Sequence, residues 1–280
     1  MIKVLEPGFY STIQDLGRFG YRKYGVPVSG AMDGYSSQFV NMILGNEKKA
    51  AVMEITMSGP KLEFLKPTTI AISGALMQPM INGTSIAFNK SIKIEKHDIL
   101  SFGKLNSGFR SYIGITGGFH SKPSLGSRSM YEGVTESVQI KKNEYLGYQS
   151  LTANLNHTYA HVKYNQSYLM SKDLKVLKGP EFNDLTKVQQ NQIFDTTYVV
   201  SKFHNRMAYQ LEPNMKHNLS SILTAPVLPG TVQLTPSGQL IVLMRDCQTT
   251  GGYPRVLQLS ESAINTLSQK ATNNKIRFKL

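Results

Sequence analysis

The sequence predicts a mainly β fold with few short helices. Short runs rich in β-branched and aromatic residues recur along the chain and are bounded by Gly, Pro, Asn or Ser, which is typical of strands that end in turns. Helical periodicity is confined to three segments, and the spacing of the apolar runs favours barrels or sandwiches over alternating βαβ units. The clearest runs are 52–56, 69–73, 91–94, 111–115, 197–200 and 275–278.

The three helical segments are marked by their ends. Asp33 is a good N-cap residue, which predicts a helix that ends at Gly45. Ser260 predicts a second helix that reaches about Ala271, because apolar residues recur there at helical spacing. A weaker pattern predicts a third helix over 184–194.

Length and composition indicate a globular protein. At 280 residues and 40% hydrophobic content, the chain can bury a large core as one large domain or two smaller ones. We predict a single module over 1–280, with a subdivision near 143–173 as an alternative, because that stretch lacks strong periodicity. The dipeptides Gly59-Pro60 and Gly179-Pro180, each ahead of a run of strands, give a faint hint of two pseudo-duplicated barrel halves.

Cysteine usage and hydropathy bear on location. The single cysteine, Cys247, rules out an intrachain disulfide and fits a reducing compartment. No signal-type apolar segment opens the chain, and no apolar run approaches the roughly 18 residues that span a bilayer. We therefore expect a cytoplasmic protein with no membrane partner.

The net charge of +13 raises the question of acidic partners. The 31 Lys and Arg residues are scattered and accompany no helix-turn-helix, RNP or zinc-finger pattern, so we expect no nucleic acid partner. A solvated lysine-rich surface and attraction of anionic substrates both remain open.

The segment 246–254 carries the densest group of ligand-type side chains and follows the apolar run 240–244. This order indicates a strand that delivers a polar loop. Asp246 would orient a water, hold a cation or accept a proton, and two adjacent glycines would let N–H groups converge on an oxygen-rich ligand. A hairpin turn whose hydroxyls bond local backbone is the alternative. The candidate binding residues here are Gln248, Thr249, Thr250, Gly251, Gly252 and Tyr253.

Three arginines within motifs rich in small residues are candidate anion ligands, because guanidinium groups bind carboxylate or phosphate bidentately. A structural arginine paired with Glu54 or Asp33 would produce the same pattern. The three candidates are Arg18, Arg128 and Arg206.

Three more polar residues complete a predicted cleft for an anionic amide, namely Gln14, Asp15 and Asn41. Gln14 and Asp15 would alternatively organise a turn, and Asn41 would bond backbone from its helix. No metal site is predicted: His157 and His161 stand four apart, but HExxH and a carboxylate partner are lacking. A GxxxxGK[ST] phosphate loop is also absent from the sequence.

These motifs, in this order, closely resemble one family. The segments are 12–33, 125–129, 205–209 and 246–254, and the resemblance extends from about Val4 to Phe278. It is to the KipA-type, or allophanate hydrolase subunit 2-like, family, which includes the C subunit of prokaryotic 5-oxoprolinase and part of the carboxyltransferase region of biotin-dependent urea carboxylase. The resemblance implies a cyclophilin-like β-barrel architecture.

The resemblance also implies a chemistry, the ATP-dependent opening of 5-oxoproline to glutamate by a hydrolase that overcomes amide resonance by phosphorylating the lactam oxygen. ATP would bind with Mg²⁺, at a shared subunit interface as one option. We expect Asp246 to direct water or metal, and Arg18 and Arg128 to hold charge. The implied partners are a KipI-type B subunit and the A subunit of 5-oxoprolinase.

Two other functions stay open under the same resemblance. The chain would be a component of a biotin-dependent carboxyltransferase, with biotin carried on another chain because no biotinyl-lysine motif is visible here. It would otherwise be a non-catalytic KipA-like regulator that antagonises a kinase inhibitor. Two departures from the family pattern leave the substrate open: Asn205 to Leu211 replaces the usual Asp-Arg-Met-Gly-Tyr-Arg-Leu, and Glu136 to Gln139 stands where Gly-Arg-Pro-Leu is usual.

Overall fold

The structure, a computed structural model, describes residues 1–148 and 163–280. His157, His161 and the middle of the expected subdivision at 143–173 lie outside the described residues. None of the helices in the described ranges has the length and apolar character needed to cross a membrane.

The chain divides into two compact units. The first comprises Met1–Gly17 and Asp33–Leu169, and the second comprises Arg18–Met32 and Met170–Leu280. The change of unit at Leu169 falls within 143–173, and the short excursion of Arg18–Met32 into the second unit is one that the sequence did not indicate.

The described part of the first unit is built from two sheets. One has the strand order β11-β1-β4-β9-β6-β7 and the other has the order β2-β3-β10-β5-β8. Their strands are β1 (Ile2–Glu6), β2 (Tyr10–Gln14), β3 (Val52–Thr56), β4 (Lys61–Phe64), β5 (Thr68–Leu76), β6 (Pro79–Ile81), β7 (Thr84–Ser85), β8 (Ser91–Ile94), β9 (Ile99–Phe102), β10 (Ser107–Ile115) and β11 (Tyr145–Leu146).

The two sheets of the first unit enclose an apolar core. Strands β3 and β5 are buried along most of their length, and Ile55, Ile72 and Ile113 are fully buried in this core. Helix α1 (Gly34–Ile43) contacts β5 and β10. Asp33 caps the helix as predicted, because its carboxylate accepts the Ser36 N–H at 3.1 Å.

The second unit contains a closed seven-stranded barrel of order β12-β19-β16-β17-β14-β13-β20. Strands β12 and β20 close it as a parallel pair, and the other pairings are antiparallel. Its strands are β12 (Asp173–Lys178), β13 (Tyr198–His204), β14 (Ala208–Glu212), β16 (Thr231–Leu234), β17 (Leu240–Leu243), β19 (Arg255–Leu259) and β20 (Lys275–Lys279), and a separate pair consists of β15 (Ala225–Pro226) and β18 (Thr250–Gly251).

Three further helices complete the described secondary structure: α2 (Ser167–Met170), α3 (Lys187–Asp195) and α4 (Glu261–Ser268). Helix α3 begins later than predicted, because Thr186 and Gln189 form a capping box. Helix α4 is capped by Ser260 as predicted but ends before Ala271. The N–H of Ala271 instead bonds the Asn274 side chain at 3.0 Å, which stops the helix.

The mainly β prediction is therefore confirmed, including the six strand patterns and a barrel in the second unit. The described part of the first unit forms two sheets, and the closed seven-stranded barrel lies in the second unit.

Candidate functional site

The predicted site residues are divided between the two units. The first unit holds Gln14, Asp15, Asn41 and Arg128. The second unit holds Arg18, Arg206, Asp246, Gln248, Thr249, Thr250, Gly251, Gly252 and Tyr253.

Asp15 joins two of the sequence motifs in the first unit. Its Oδ1 accepts hydrogen bonds from the Gly17 N–H at 2.8 Å, the Ser127 hydroxyl at 2.6 Å and the Ser129 hydroxyl at 2.7 Å. Its Oδ2 accepts the Arg128 N–H at 2.6 Å. A carboxylate that accepts four hydrogen bonds is strongly held. Asp15 therefore fixes the backbone from which Arg128 projects.

Arg128 is half-buried and lines a cavity in the first unit with a volume of about 190 Å³. Among the described residues, no hydrogen bond or ion pair engages its guanidinium group. Polar residues that share this cavity are His120, Ser121, Lys122, Glu136 and Ser137. An arginine that is positioned through its backbone and not neutralised by a carboxylate is suited to bind an anion.

Two side chains of this cavity form an ion pair with each other. Lys122 Nζ donates to Glu136 Oε1, and both side chains are exposed. This hydrogen bond raises the pKa of Lys122 and lowers the pKa of Glu136, so both groups stay charged at neutral pH. Their charges cancel, which leaves Arg128 as the cation of this cavity that no described carboxylate pairs.

Gln14 and Asn41 use their side chains within the fold. The Gln14 amide donates to Thr12 Oγ1 at 3.1 Å and to the Met130 carbonyl at 3.3 Å, and its side chain is fully buried. The Asn41 amide donates to the Ala50 carbonyl at 2.8 Å, as the structural alternative expected. These contacts stabilise the strand and helix ends, and a ligand role for either residue stays a prediction.

In the second unit, Arg206 and Asp246 form a bidentate ion pair. Arg206 Nε lies 2.7 Å from Asp246 Oδ2, and Nη2 lies 3.1 Å from Oδ1. Arg206 Nη2 also donates to the Gly30 carbonyl at 2.6 Å, and the Asp246 N–H donates to the Arg206 carbonyl at 2.9 Å. The side chains are 8% exposed each. The pair links the segment 18–32 to the barrel within this unit.

Arg18 is also deeply buried, at 1% exposure. Its Nη1 donates to Ser29 Oγ at 3.0 Å, and its N–H donates to the Val28 carbonyl at 2.7 Å. Ser29 has a φ of 59°, and its N–H donates to the Arg245 carbonyl at 3.1 Å. Arg18 thus helps to hold a strained turn in place.

The polar loop after β17 forms as predicted, but much of its backbone is hydrogen bonded. Strand β18 pairs with β15, so that Gly251 faces Ala225. The Thr249 and Gly252 carbonyls accept N–H groups of Val227 at 3.1 Å and of Ile222 at 3.0 Å. The loop backbone is therefore held by the segment 222–227 of the same unit, while the role of the loop in binding anions stays a prediction.

The remaining predicted residues of this loop lie at its surface or beside Gln233. Thr250 is exposed and Tyr253 is 40% exposed. The Gln248 amide donates to Gln233 Oε1 at 3.4 Å, and the Gln233 amide donates to the Tyr253 carbonyl at the same distance. These are long bonds, so Gln233 constrains the loop only loosely.

Arg22 was missed by the sequence analysis. Its Nη2 donates to the Val227 carbonyl and to the Thr249 carbonyl, the latter at 3.2 Å. It therefore ties the segment 18–32 to the polar loop of the same unit. The neighbouring Cys247 is fully buried, and burial raises the pKa of its thiol to about 11 against the opposing effect of Arg22. A protonated thiol is a weak nucleophile, so Cys247 is poorly suited to nucleophilic catalysis.

The sequence carries a recognisable signal for some of these residues and none for others. Asp15 followed by Gly17 is a spacing typical of an Asx turn, and that turn forms. His120 and Lys122 follow no motif, and the fold alone brings them to the cavity with Glu136. In the described ranges no group of three or more His, Cys, Asp or Glu residues is placed to hold a metal ion.

Comparison with known proteins shows that this chain is similar to one family and to several individual proteins. The sequence model of one family, described as the carboxyltransferase domain, subdomain A and B, matches residues 24–280. The C subunit of 5-oxoprolinase from Escherichia coli is 28% identical over 284 residues, which cover 99% of this chain and 90% of that protein. The urea amidolyase of Lachancea kluyveri is 45% identical over 130 residues, 46% of this chain and 7% of that protein.

A solved structure shares the fold. The urea amidolyase of K. lactis superposes with a TM-score of 0.88 at 29% sequence identity, over 99% of this chain and 18% of that chain. This chain therefore corresponds to one part of a much longer urea amidolyase and to nearly the full length of the C subunit of a 5-oxoprolinase.

Proposed function

Because this chain belongs to the family of carboxyltransferase domains, subdomain A and B, we propose that it acts as the C subunit of an ATP-dependent 5-oxoprolinase. The observation that carries the proposal is the alignment with the C subunit of 5-oxoprolinase, which runs through nearly the whole of both proteins. The partners in the proposal are the A subunit of that enzyme and a KipI-type B subunit.

The reaction in this proposal opens a cyclic amide. The bond between the lactam carbonyl carbon and nitrogen breaks, and that carbon gains an oxygen from water to become the side-chain carboxylate of glutamate. Amide resonance opposes the step, and ATP hydrolysis to ADP and phosphate drives it. In this chain, Arg128 meets the negative charge of the substrate, and Asp15 positions Arg128 through the bonds to residues 127–129.

Under this proposal, ATP with its Mg²⁺ does not bind in the cavity beside Arg128. The cavity beside Arg128 is below the roughly 300–1,000 Å³ of pockets for drug-sized ligands. The proposal accordingly places ATP on a partner subunit or on a surface shared with one, and the water-activating group there as well. Asp246 and Arg18 serve in this chain by holding the backbone of the second unit.

The test is turnover by the assembled complex. The chain is co-expressed with its own A and B subunits, and release of glutamate and ADP is measured with 5-oxoproline, with each subunit omitted in turn. We expect both products in equal amounts only when all three subunits are present. A folded three-subunit complex that releases neither product would contradict the proposal.

A second function has a specific observation in its favour. The part of the chain aligned with the Lachancea kluyveri urea amidolyase is more similar to that protein than the whole chain is to the C subunit of 5-oxoprolinase. The alternative is a component of a biotin-dependent carboxyltransferase, with carboxybiotin arriving on another chain. Carboxylation of urea with bicarbonate, ATP and a biotinylated carrier, in a complex that leaves 5-oxoproline unchanged, would favour it. A complex silent in both assays would favour the regulatory role.

A further inference from the structure

The cavity in the first unit has the size of a site for one small organic acid. Its volume of about 190 Å³ is below the roughly 300–1,000 Å³ of pockets for drug-sized ligands. The described lining comes from Ile13 and from residues within three further stretches of chain, 119–124, 128–137 and 144–147. Polar and apolar side chains both contribute, including Ile13 and Met130.

We propose that this cavity binds a small monocarboxylate through Arg128 and Ser121 and excludes nucleotide phosphates. The identification of that acid as 5-oxoproline rests on the proposed function; the class of ligand rests on the cavity itself. The proposal assigns the substrate and ATP to different places in the assembly.

Arg128 supplies the positive charge for a carboxylate. Its N–H is held at 2.6 Å by Asp15, while its guanidinium makes no hydrogen bond or ion pair with any described residue. A guanidinium group without a partner presents a planar fork of N–H donors, and this fork matches the two oxygens of a carboxylate. Because the main chain is already fixed, binding would order only the side chain, which limits the entropic cost.

Ser121 supplies a second, independent indication of a ligand. Its Oγ is buried, and no described group forms a hydrogen bond with it. A buried hydroxyl without a partner costs free energy, and such a group in a native protein calls for a partner that binds there. Because Ser121 lines the same cavity as Arg128, a bound acid would satisfy both residues.

The charges of the cavity favour a single negative charge over several. Lys122 is paired with Glu136, and Glu144 is a second carboxylate in the lining. A triphosphate would face both carboxylates, whereas one carboxylate would meet Arg128 without a net excess of charge.

The test is a binding titration with the full chain and with the complex. The probes are 5-oxoproline, 2-pyrrolidone, which has the same ring without the carboxylate, and ATP. We expect 5-oxoproline to bind, 2-pyrrolidone to bind too weakly to measure, and ATP not to displace 5-oxoproline from the isolated chain. Displacement by ATP, or equal affinity for 2-pyrrolidone, would overturn the proposal.

Variants connect the binding to the two residues. Arg128→Gln should weaken binding of 5-oxoproline by at least about tenfold, and Ser121→Ala by about two- to tenfold. Arg128→Lys should give an affinity between that of the unchanged chain and that of Arg128→Gln. It keeps the positive charge but loses the planar pair of N–H donors. The matched control is Arg277→Gln, which removes a partly exposed arginine of the second unit that is 2.9 Å from Asp173. Unchanged affinity in Arg128→Gln, or equal loss in Arg277→Gln, would contradict the inference.

The two proposals can fail separately. Turnover by a complex that carries Arg128→Gln with an unchanged KM for 5-oxoproline would overturn the cavity assignment and leave the proposed function intact. Arg128-dependent binding of 5-oxoproline in a complex without turnover would support the cavity and contradict the 5-oxoprolinase function. Turnover by the complex, together with binding of 5-oxoproline that Arg128→Gln does not weaken, would overturn the cavity assignment alone.

Discussion

At the scale of single residues, charged side chains are used in two contrasting ways. Arg206 and Asp246 form a buried ion pair in the second unit, so each side chain neutralises the charge of the other. Arg128 is positioned through its backbone by Asp15, and no described residue pairs with its guanidinium group. A buried pair is expensive to break because the remaining charge has lost its water, whereas a half-buried arginine can be truncated at little cost.

This difference predicts what happens when Asp246 is changed. Asp246→Asn leaves a buried guanidinium without its carboxylate, and we expect the free energy of unfolding to fall by about 3–5 kcal/mol. The double variant Arg206→Met with Asp246→Leu should recover most of that loss, because no charge then remains buried. Denaturant titration of the single and double variants measures both values.

A stable Asp246→Asn protein would contradict this prediction. If its complex with the partner subunits had also lost turnover, the carboxylate would have the water-directing role that the sequence analysis predicted. Arg128→Gln is the matched comparison in these titrations, because it removes an arginine that no described residue pairs.

At the scale of elements, close contacts between strands restrict a few glycines. Gly179 follows β12, and a Cβ atom there would lie 2.1 Å from the Arg255 carbonyl oxygen in β19. Of the two Gly-Pro dipeptides that suggested pseudo-duplication, Gly179-Pro180 therefore marks a close approach of two backbones. Gly252 has no such constraint, since a Cβ atom would meet its nearest neighbour, the Ile222 carbonyl, at 3.5 Å.

We predict that Gly179→Ala destabilises the barrel by about 1–3 kcal/mol, because backbone atoms must move to admit the methyl group. Gly252→Ala should change stability by less than about 0.5 kcal/mol. Thermal unfolding of the two variants checks the difference. Equal midpoints for both variants would show that β12 and β19 can separate freely at this position.

Most elements could be predicted from the sequence because their signals are local. A continuous apolar run defines β17, and a side-chain cap defines the start of α1. Errors lie at helix ends, where a competing local contact decides: the Thr186 capping box moved the start of α3, and the Asn274 side chain stopped α4. Such contacts involve only one or two residues, so they leave no periodic pattern in the sequence from which a helix end could be predicted.

At the scale of the whole molecule, the net charge of +13 arises from scattered lysines. Such a surface attracts polyanions only through long-range electrostatics, and salt screens it. We predict that a DNA duplex of about 20 base pairs binds weakly at about 50 mM salt and not measurably at about 150 mM. Fluorescence anisotropy measures this.

The control for the charge prediction is the exposed pair Lys48 and Lys49. Changing both residues to Gln should lower the weak binding at low salt only in proportion to the charge removed. Tight binding at about 150 mM salt, or its complete loss in this double variant, would indicate a dedicated nucleic-acid surface and contradict the expectation of no such partner.

The sequence by itself determined the mainly β class, most strand positions, the cap of α1 and the family resemblance, because these depend on patterns within a few residues. The tertiary structure alone decided that Asp15 meets Ser127, Arg128 and Ser129, that Arg206 is neutralised by Asp246, and that Arg18–Met32 belongs with the second unit. These contacts join residues up to 114 positions apart for Asp15 and 40 for Arg206. The topology that brings such distant residues together depends on how the strands pair across the whole chain, and no local pattern records that pairing.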